Sequence, residues 1–429
     1  METTMDLENA FVVDASSIKY GPGATREVGY EMAERAARRV MVLVDPNLKD
    51  SETLDIALKS LKAEGIDAVV FDQVRIEPTD SSFKLAIDFA TKGSFEGYVA
   101  IGGGSTMDTA KAANLYSTYP ADFLDYVNQP IGKGLPVPGP VKPMVAVPTT
   151  AGTGSETTGV AVFELEEMRA KTGIAHRAIK PDIGIVDPNN TRTMPPMVVA
   201  SSALDIFCHA LESLTALPYS LRAAPESPRM RPAYQGANPI SNIWASRAAE
   251  IGAKYMSRAM KDMEDEEARS QMILASTYAG IGFGTAGVTL PHGMSYPIAG
   301  MVRDYRPEGY PQDHAMIPHG MAVILTAPAA FRFMAPANPE MFLYAARLIG
   351  ADVAGAGPED AGEIMAEAVI DVMRKAKMPN GLRAVGYTPD DVDDLVAGVL
   401  PQHRVIKLSP RPADADDFRQ MFLDSMTIW

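Results

Sequence analysis

The sequence predicts two successive structural regions, an α/β domain with a mostly parallel sheet over residues 1–195 and an all-helical domain over 196–429. Three observations predict it. Short β-branched runs alternate with amphipathic segments through the first region. After Pro195-Pro196 the period changes to that of long helices. The length, 429 residues, suffices for two cores.

The strands of the first region read as Val40–Val44, Ala68–Phe71, Tyr98–Ile101, Met144–Val147, Val160–Phe163 and Gly184–Val186. Helical patterns at Ser51–Ala63 and Ser81–Thr91 lie between them, which is the signature of βαβ units. In the second region the periodicity predicts helices over Val198–Thr215, Ser241–Met260, Glu266–Gly282, Pro358–Lys375 and Asp414–Met426. Two irregular stretches interrupt it: Pro218–Pro239, rich in Pro and Arg, and Val302–Pro318, rich in Tyr, Pro and charge. Loops of this length inside a domain are often functional.

Composition excludes several classes. With 46% hydrophobic and 22% charged residues the chain is an ordinary globular one, not a disordered one. A net charge of −15 without a basic stripe argues against nucleic acid as a partner, since such binding rests on Lys and Arg neutralising phosphates. The single cysteine, Cys208, rules out a disulfide framework or a Cys-rich zinc site and suits a reducing cytoplasm. The opening stretch, METTMDLENAFVVD, reads as neither a secretory signal nor an Arg-rich transit peptide. No stretch reads as a membrane span, so no membrane partner is expected.

Two loops carry binding chemistry. YVAIGGGSTMDTAKAA runs from a strand through Gly102, Gly103 and Gly104 into a helix that Ser105 is expected to cap. Glycines let the backbone approach an anion, and a helix start offers N–H groups and the positive dipole end. The same letters also suit a tight strand-to-helix turn that binds nothing. MVAVPTTAGTGSETT follows the next strand, with hydroxyls from Thr149, Thr150, Thr153 and Ser155. Two such loops at the carboxyl ends of parallel strands are where an α/β sheet binds a cofactor. Asp45, after VMVLV, is placed to accept hydrogen bonds from an adenosine ribose and to repel a 2′-phosphate, favouring NAD; a turn cap at Asp45-Pro46-Asn47 is the alternative.

The second region holds a candidate metal set. SSALDIFCHALES puts Asp205 and His209 four apart, on one helix face. A helical hydrogen bond or a core contact would give the same spacing. His292 in LPHGMSYP and His319 in MIPHGMAV complete one carboxylate and three imidazoles, a set suited to Fe²⁺, Zn²⁺ or another first-row divalent ion. His176 and His403 have no such context, and His314 lies in the Tyr-rich loop.

Taken in order, these elements resemble the iron-containing alcohol dehydrogenase family over essentially the whole chain. GGGSxxDxxK is present as Gly102–Lys111, PTTxGTGSE as Pro148–Glu156, and the ligand pattern as Asp205, His209, His292 and His319. The resemblance implies a dehydroquinate synthase-like architecture, an N-terminal dinucleotide-binding domain and a helical C-terminal domain, with metal and nicotinamide in the cleft between them. It also implies that Asp45, Gly102–Ser105, Asp108, Thr149, Thr150, Thr153 and Lys171 line the cofactor. Many family members carry a further histidine four residues after the third ligand; here that position is Tyr296, a candidate catalytic group that would hydrogen-bond substrate or relay a proton.

Within the family, IGFGTAGVTLPHGMSYPIAG, VRIEPTDSSF, AANLYSTYPADFLDYVNQPIGKG, RPAYQGANPIS and LPQHRVIKLSPRP resemble the hydroxyacid–oxoacid transhydrogenase subgroup. That resemblance implies hydride transfer from 4-hydroxybutanoate to 2-oxoglutarate through retained NAD, in a homodimer. The alternative is a conventional NAD-dependent iron-type alcohol dehydrogenase with exchangeable cofactor. Animal members of the subgroup are mitochondrial; lacking a transit pattern, this chain is expected in the cytoplasm. Small hydroxy- and oxo-acid substrates need local cations, and the irregular stretches offer Arg222, Arg229, Arg231, Arg303 and Arg306.

Overall fold

A computed structural model describes residues 6–429. The first five residues of the acidic opening stretch and the Arg229 side chain lie outside the described residues. Two compact units are present, one comprising Ala15–Val199 with Asp262–Thr277, the other 6–14, Ala200–Lys261 and Tyr278–Trp429.

The first unit is built on strands β1 (Ser17–Tyr20), β2 (Arg39–Val44), β3 (Asp67–Phe71), β4 (Gly97–Gly102), β5 (Met144–Pro148), β6 (Val160–Leu165), β7 (Ala170–Ala175) and β8 (Ile183–Val186). Six form one parallel sheet in the order β1-β8-β5-β4-β2-β3. Helices α1 (Val28–Glu34), α2 (Glu52–Ala63), α3 (Asp80–Gly93) and α4 (Gly104–Thr118) cover it. Val40, Val42 and Val44 of β2 pack on one face with Leu54 and Leu61 of α2, while Met41 and Leu43 pack on the other with Ala86 of α3 and Ala110 of α4. Burial on both faces explains why these strands are continuous apolar runs.

The chain runs from β2 outward to β3, then returns past β2 to β4. The strand order therefore reverses between β2 and β4, and the carboxyl ends there form the crevice in which such sheets bind ligands. Asp45 follows β2 and the triple glycine follows β4, so both flank that point.

Two strands escape the sequence pattern. SIKY (β1) is an edge strand with half-exposed and exposed residues. AKTGIA (β7) pairs antiparallel with β6 in a separate hairpin and carries Lys, Thr and Gly instead of a β-branched run.

The second unit is helical, containing most of α5 (Pro196–Thr215) and part of α7 (Glu266–Ala286), with α6 (Pro239–Lys261), α8 (Leu290–Gly300), α9 (His319–Ile324), α10 (Ala327–Met334) and α11 (Pro339–Leu348). It continues through α12 (Ala361–Lys375), α13 (Val392–Val399), α14 (His403–Ile406) and α15 (Ala415–Asp424). Helix α5 is long and apolar enough by composition to cross a membrane, contrary to the sequence expectation, but 83% of its most apolar window is buried within the protein. Its apolar character makes core contacts.

Candidate metal centre and cofactor loops

Asp205, His209 and Glu212 stand at i, i+4 and i+7 on α5, so one helix face carries all three. His292 lies in the first turn of α8, and His319 opens α9 after Pro318. One ligand atom from each of Asp205, His209, His292 and His319 falls within 4.8 Å of the others. The Nε2 atoms of His209, His292 and His319 lie 3.7, 3.7 and 3.8 Å from Asp205 Oδ1. These spacings exceed a hydrogen bond and suit donors facing a common ion.

Glu212, fully buried, is the group that orders this cluster. Its Oε1 lies 2.6 Å from His292 Nδ1, and its Oε2 accepts from the backbone N–H of Thr289 at 2.6 Å. The carboxylate thus closes the N-terminus of α8, where a negative charge is favoured. It also fixes the imidazole: Nδ1–H faces Glu212, and Nε2, buried without a hydrogen-bond partner, faces the cluster. Burial lowers the proton affinity of His292, but Glu212 and Asp205 more than offset this and leave it raised. An orphaned imidazole nitrogen beside a carboxylate and two further imidazoles fits a divalent metal. Phe283 stacks on His209 at 3.9 Å between ring centroids and holds its plane.

In the other unit, the two loops end neighbouring strands, with Gly102 paired to Pro148. Thr149 N–H donates to Gly102 O at 3.0 Å. A Cβ at Gly103 would lie 3.0 Å from Thr150 Oγ1, and one at Gly104 would lie 2.8 Å from Thr153 Cγ2. A side chain at either glycine would therefore press on the threonines packed against it, apart from any anion. The expectation that Ser105 caps α4 is corrected: Gly103 is the cap residue, and Ser105 Oγ accepts from Glu77 N–H at 3.2 Å. Lys171 pairs with the carboxylate of the same Glu77. Asp108 accepts from Ser155 Oγ at 2.8 Å and Val162 N–H at 2.9 Å, with the buried Lys111 Nζ at 3.5 Å; it braces the loop from behind. Asp45 caps the turn after β2, its Oδ1 accepting from Asn47 N–H at 2.8 Å.

Tyr296, one turn after His292 on α8, accepts a hydrogen bond from Arg404 Nη2 at 2.9 Å. Most of the arginines expected to meet an acid are engaged elsewhere. Arg231 makes a forked pair with Glu8 at 3.0 and 3.1 Å, Arg303 pairs with Asp391, and Arg306 is exposed and donates to Asp304 O at 3.1 Å. Arg222 is half-buried, its proton affinity lowered by burial. His176 Nδ1 accepts from Ala178 N–H at 3.1 Å, His314 pairs with Asp313, and His403 is exposed. Cys208 is buried, and burial pushes its thiol well up.

Glu212 and Arg404 escaped the sequence reading. The signal for Glu212 was its place seven residues after Asp205, on the same helix face. For Arg404 the local sequence, QHRVIK, carries no such signal.

A family model described as iron-containing alcohol dehydrogenase matches residues 15–188, and one for the family's C-terminal part matches residues 233–426. The chain belongs to the iron-containing alcohol dehydrogenase family and is an oxidoreductase. Over 422 residues it is 53% identical to the mitochondrial hydroxyacid–oxoacid transhydrogenase of Mus musculus, covering 98% of this chain and 91% of that protein. The Homo sapiens protein of the same name is 52% identical over 422 residues, with 98% and 90% covered. Among solved structures it resembles sulfoacetaldehyde reductase from Bifidobacterium kashiwanohense in complex with NAD⁺, with a TM-score of 0.78 and 26% identity, covering 99% of this chain and 100% of that one. These relatives overturn the cytoplasmic expectation, since both transhydrogenases are named mitochondrial. The lone cysteine suits any reducing compartment and never singled out the cytoplasm.

Proposed function

We propose that the protein is a hydroxyacid–oxoacid transhydrogenase that converts 4-hydroxybutanoate and 2-oxoglutarate to succinate semialdehyde and 2-hydroxyglutarate through bound NAD. The observation that carries this reading is the 53% identity to such an enzyme over 98% of the chain. Asp205, His209, His292 and His319 would hold a divalent ion, iron by the family's name, with Zn²⁺ chemically suited to the same donors. That ion supplies Lewis-acid polarisation of a hydroxyl or carbonyl oxygen, and NAD supplies the hydride carrier.

The remaining roles fall to this chain's own residues. Glu212 holds His292 in one tautomer, and Phe283 holds the plane of His209. Asp205, His209 and His292 are buried while the His319 side chain is 26% exposed, so substrate enters past His319. Tyr296 receives its hydrogen bond from Arg404, which leaves its own O–H proton to be directed at a substrate oxygen. The Gly102–Ser105 and Thr149–Ser155 loops offer backbone N–H groups to a diphosphate, Lys171 offers a cation, and Asp45 offers a carboxylate to a ribose.

The test uses protein purified with its nucleotide, loaded with Fe²⁺ and given both acids without added NAD. Repeated formation of 2-hydroxyglutarate, followed by mass spectrometry, is the expected result. Turnover only on adding NAD, with NADH accumulating in solution, would reject the reading in favour of a conventional NAD-dependent alcohol dehydrogenase.

A further inference from the structure

We propose that Arg404 binds the carboxylate common to both acid substrates through the Nη1 edge of its guanidinium, an assignment that rests on the functional reading above. Nη2 is committed to Tyr296 at 2.9 Å, and the guanidinium carbon lies 4.7 Å from the centre of the Tyr234 ring. Nη1 is buried and has no hydrogen-bond partner. Among the described residues, the groups that act on the Arg404 charge are the phenols of Tyr296 and Tyr234, and no carboxylate pairs with it. A buried guanidinium that meets the phenols of Tyr234 and Tyr296 but no carboxylate, and whose Nη1 has no acceptor, is a site for an anion.

The position suits the chemistry. Tyr296 stands one helical turn from His292, and the chain around Arg404 packs on the same helix: a Cβ at Gly293 would meet Ile406 Cγ2 at 2.7 Å and Val405 Cγ2 at 3.3 Å. Tyr234 is itself packed on Phe283, the ring that stacks on His209. Arg404 therefore borders the metal cluster at a fixed offset from it.

The two acids differ at their reacting ends. Each nevertheless has a carboxyl carbon three bonds from the carbon that changes oxidation state, C1 from C4 in 4-hydroxybutanoate and C5 from C2 in 2-oxoglutarate. One arginine at one offset thus serves both half-reactions, and a two-pronged guanidinium does this better than a point charge.

The test compares wild type with Arg404→Met and Arg404→Lys, each metal-loaded and carrying its nucleotide. Calorimetry gives the Kd of succinate, a dicarboxylate that cannot react, and steady-state kinetics give kcat and KM for both acids. The expected result is a rise of about 10- to 100-fold in the succinate Kd and in both KM values for Arg404→Met, with kcat less affected and a partial return in Arg404→Lys. Metal content equal to wild type shows that the variant is folded at the site. Unchanged Kd and KM in Arg404→Met overturn the assignment and leave the functional reading standing. Loss of the bound nucleotide with acid binding intact also overturns it, by assigning the arginine to a nucleotide phosphate. Wild type that binds succinate but transfers no hydride between the acids overturns the functional reading instead.

Discussion

His292 Nδ1 and Glu212 Oε1 are 2.6 Å apart, and the second oxygen of the same carboxylate takes the Thr289 N–H. One buried side chain therefore sets both the tautomer of a candidate ligand and the start of the helix that carries it. Glu212→Gln should weaken metal binding about 10- to 100-fold with the fold retained, read by competition against a chelator. Glu212→Ala should also lower the Tm, because buried N–H groups lose their acceptor. Wild-type metal affinity in both variants would refute the arrangement.

Gly320 follows His319 where α9 crosses α5. A Cβ there would stand 2.0 Å from Ser201 O and 2.9 Å from Asp205 Cβ. Both obstacles are close to the chain of α5, so α9 must shift and take His319 with it. Gly320→Ala is expected to cost about 1–3 kcal/mol of stability and to lower metal occupancy, measured by thermal unfolding and elemental analysis. A variant as stable and as fully loaded as wild type would contradict this.

Lys111 has no exposed side-chain surface and donates to Ser155 Oγ at 2.6 Å and Val160 O at 2.8 Å. Burial lowers its proton affinity and raises that of Asp108, while each charge supports the other. Lys111→Met leaves Asp108, 14% exposed, without its cation, so a loss of about 2–4 kcal/mol is expected, less than for a fully buried pair. NAD should bind more weakly because Ser155 loses a partner, whereas metal binding by the other unit should not change. Equal loss of metal and NAD would show that the network is not confined to the loop.

Arg231 and Arg303 are held by Glu8 and Asp391. Alanine at either position should leave KM for both acids unchanged in steady-state assays. A tenfold rise at either one would return the irregular stretches to the substrate site.

The parallel sheet was legible because its inner strands are covered on both faces: VMVLV, YVAI and MVAV are apolar without interruption. SIKY and AKTGIA were not, because an edge strand and a two-stranded hairpin carry no such demand. Helical spacing related Asp205 to His209, but only the fold brings His292 and His319 to them. Glu212 was passed over for a different reason, since a glutamate in a helix ordinarily reads as solvated surface and its place seven residues after Asp205 does not reveal that its partner is a distant histidine. The triple glycine was read through an anion or a tight turn, while the side chains of Thr150 and Thr153, from the next strand's loop, also crowd Gly103 and Gly104.

The uneven enclosure of the four candidate ligands has a kinetic consequence. Asp205, His209 and His292 are walled in, and only His319, on a helix of six residues, reaches solvent. For an ion held by these four groups, affinity and lability would fall to different residues: Glu212 and the enclosed ligands would set how tightly it is held, and the exposed His319 how fast it exchanges. A substrate seated on that side would act as a stopper, so chelators should strip the working enzyme more slowly than the resting one.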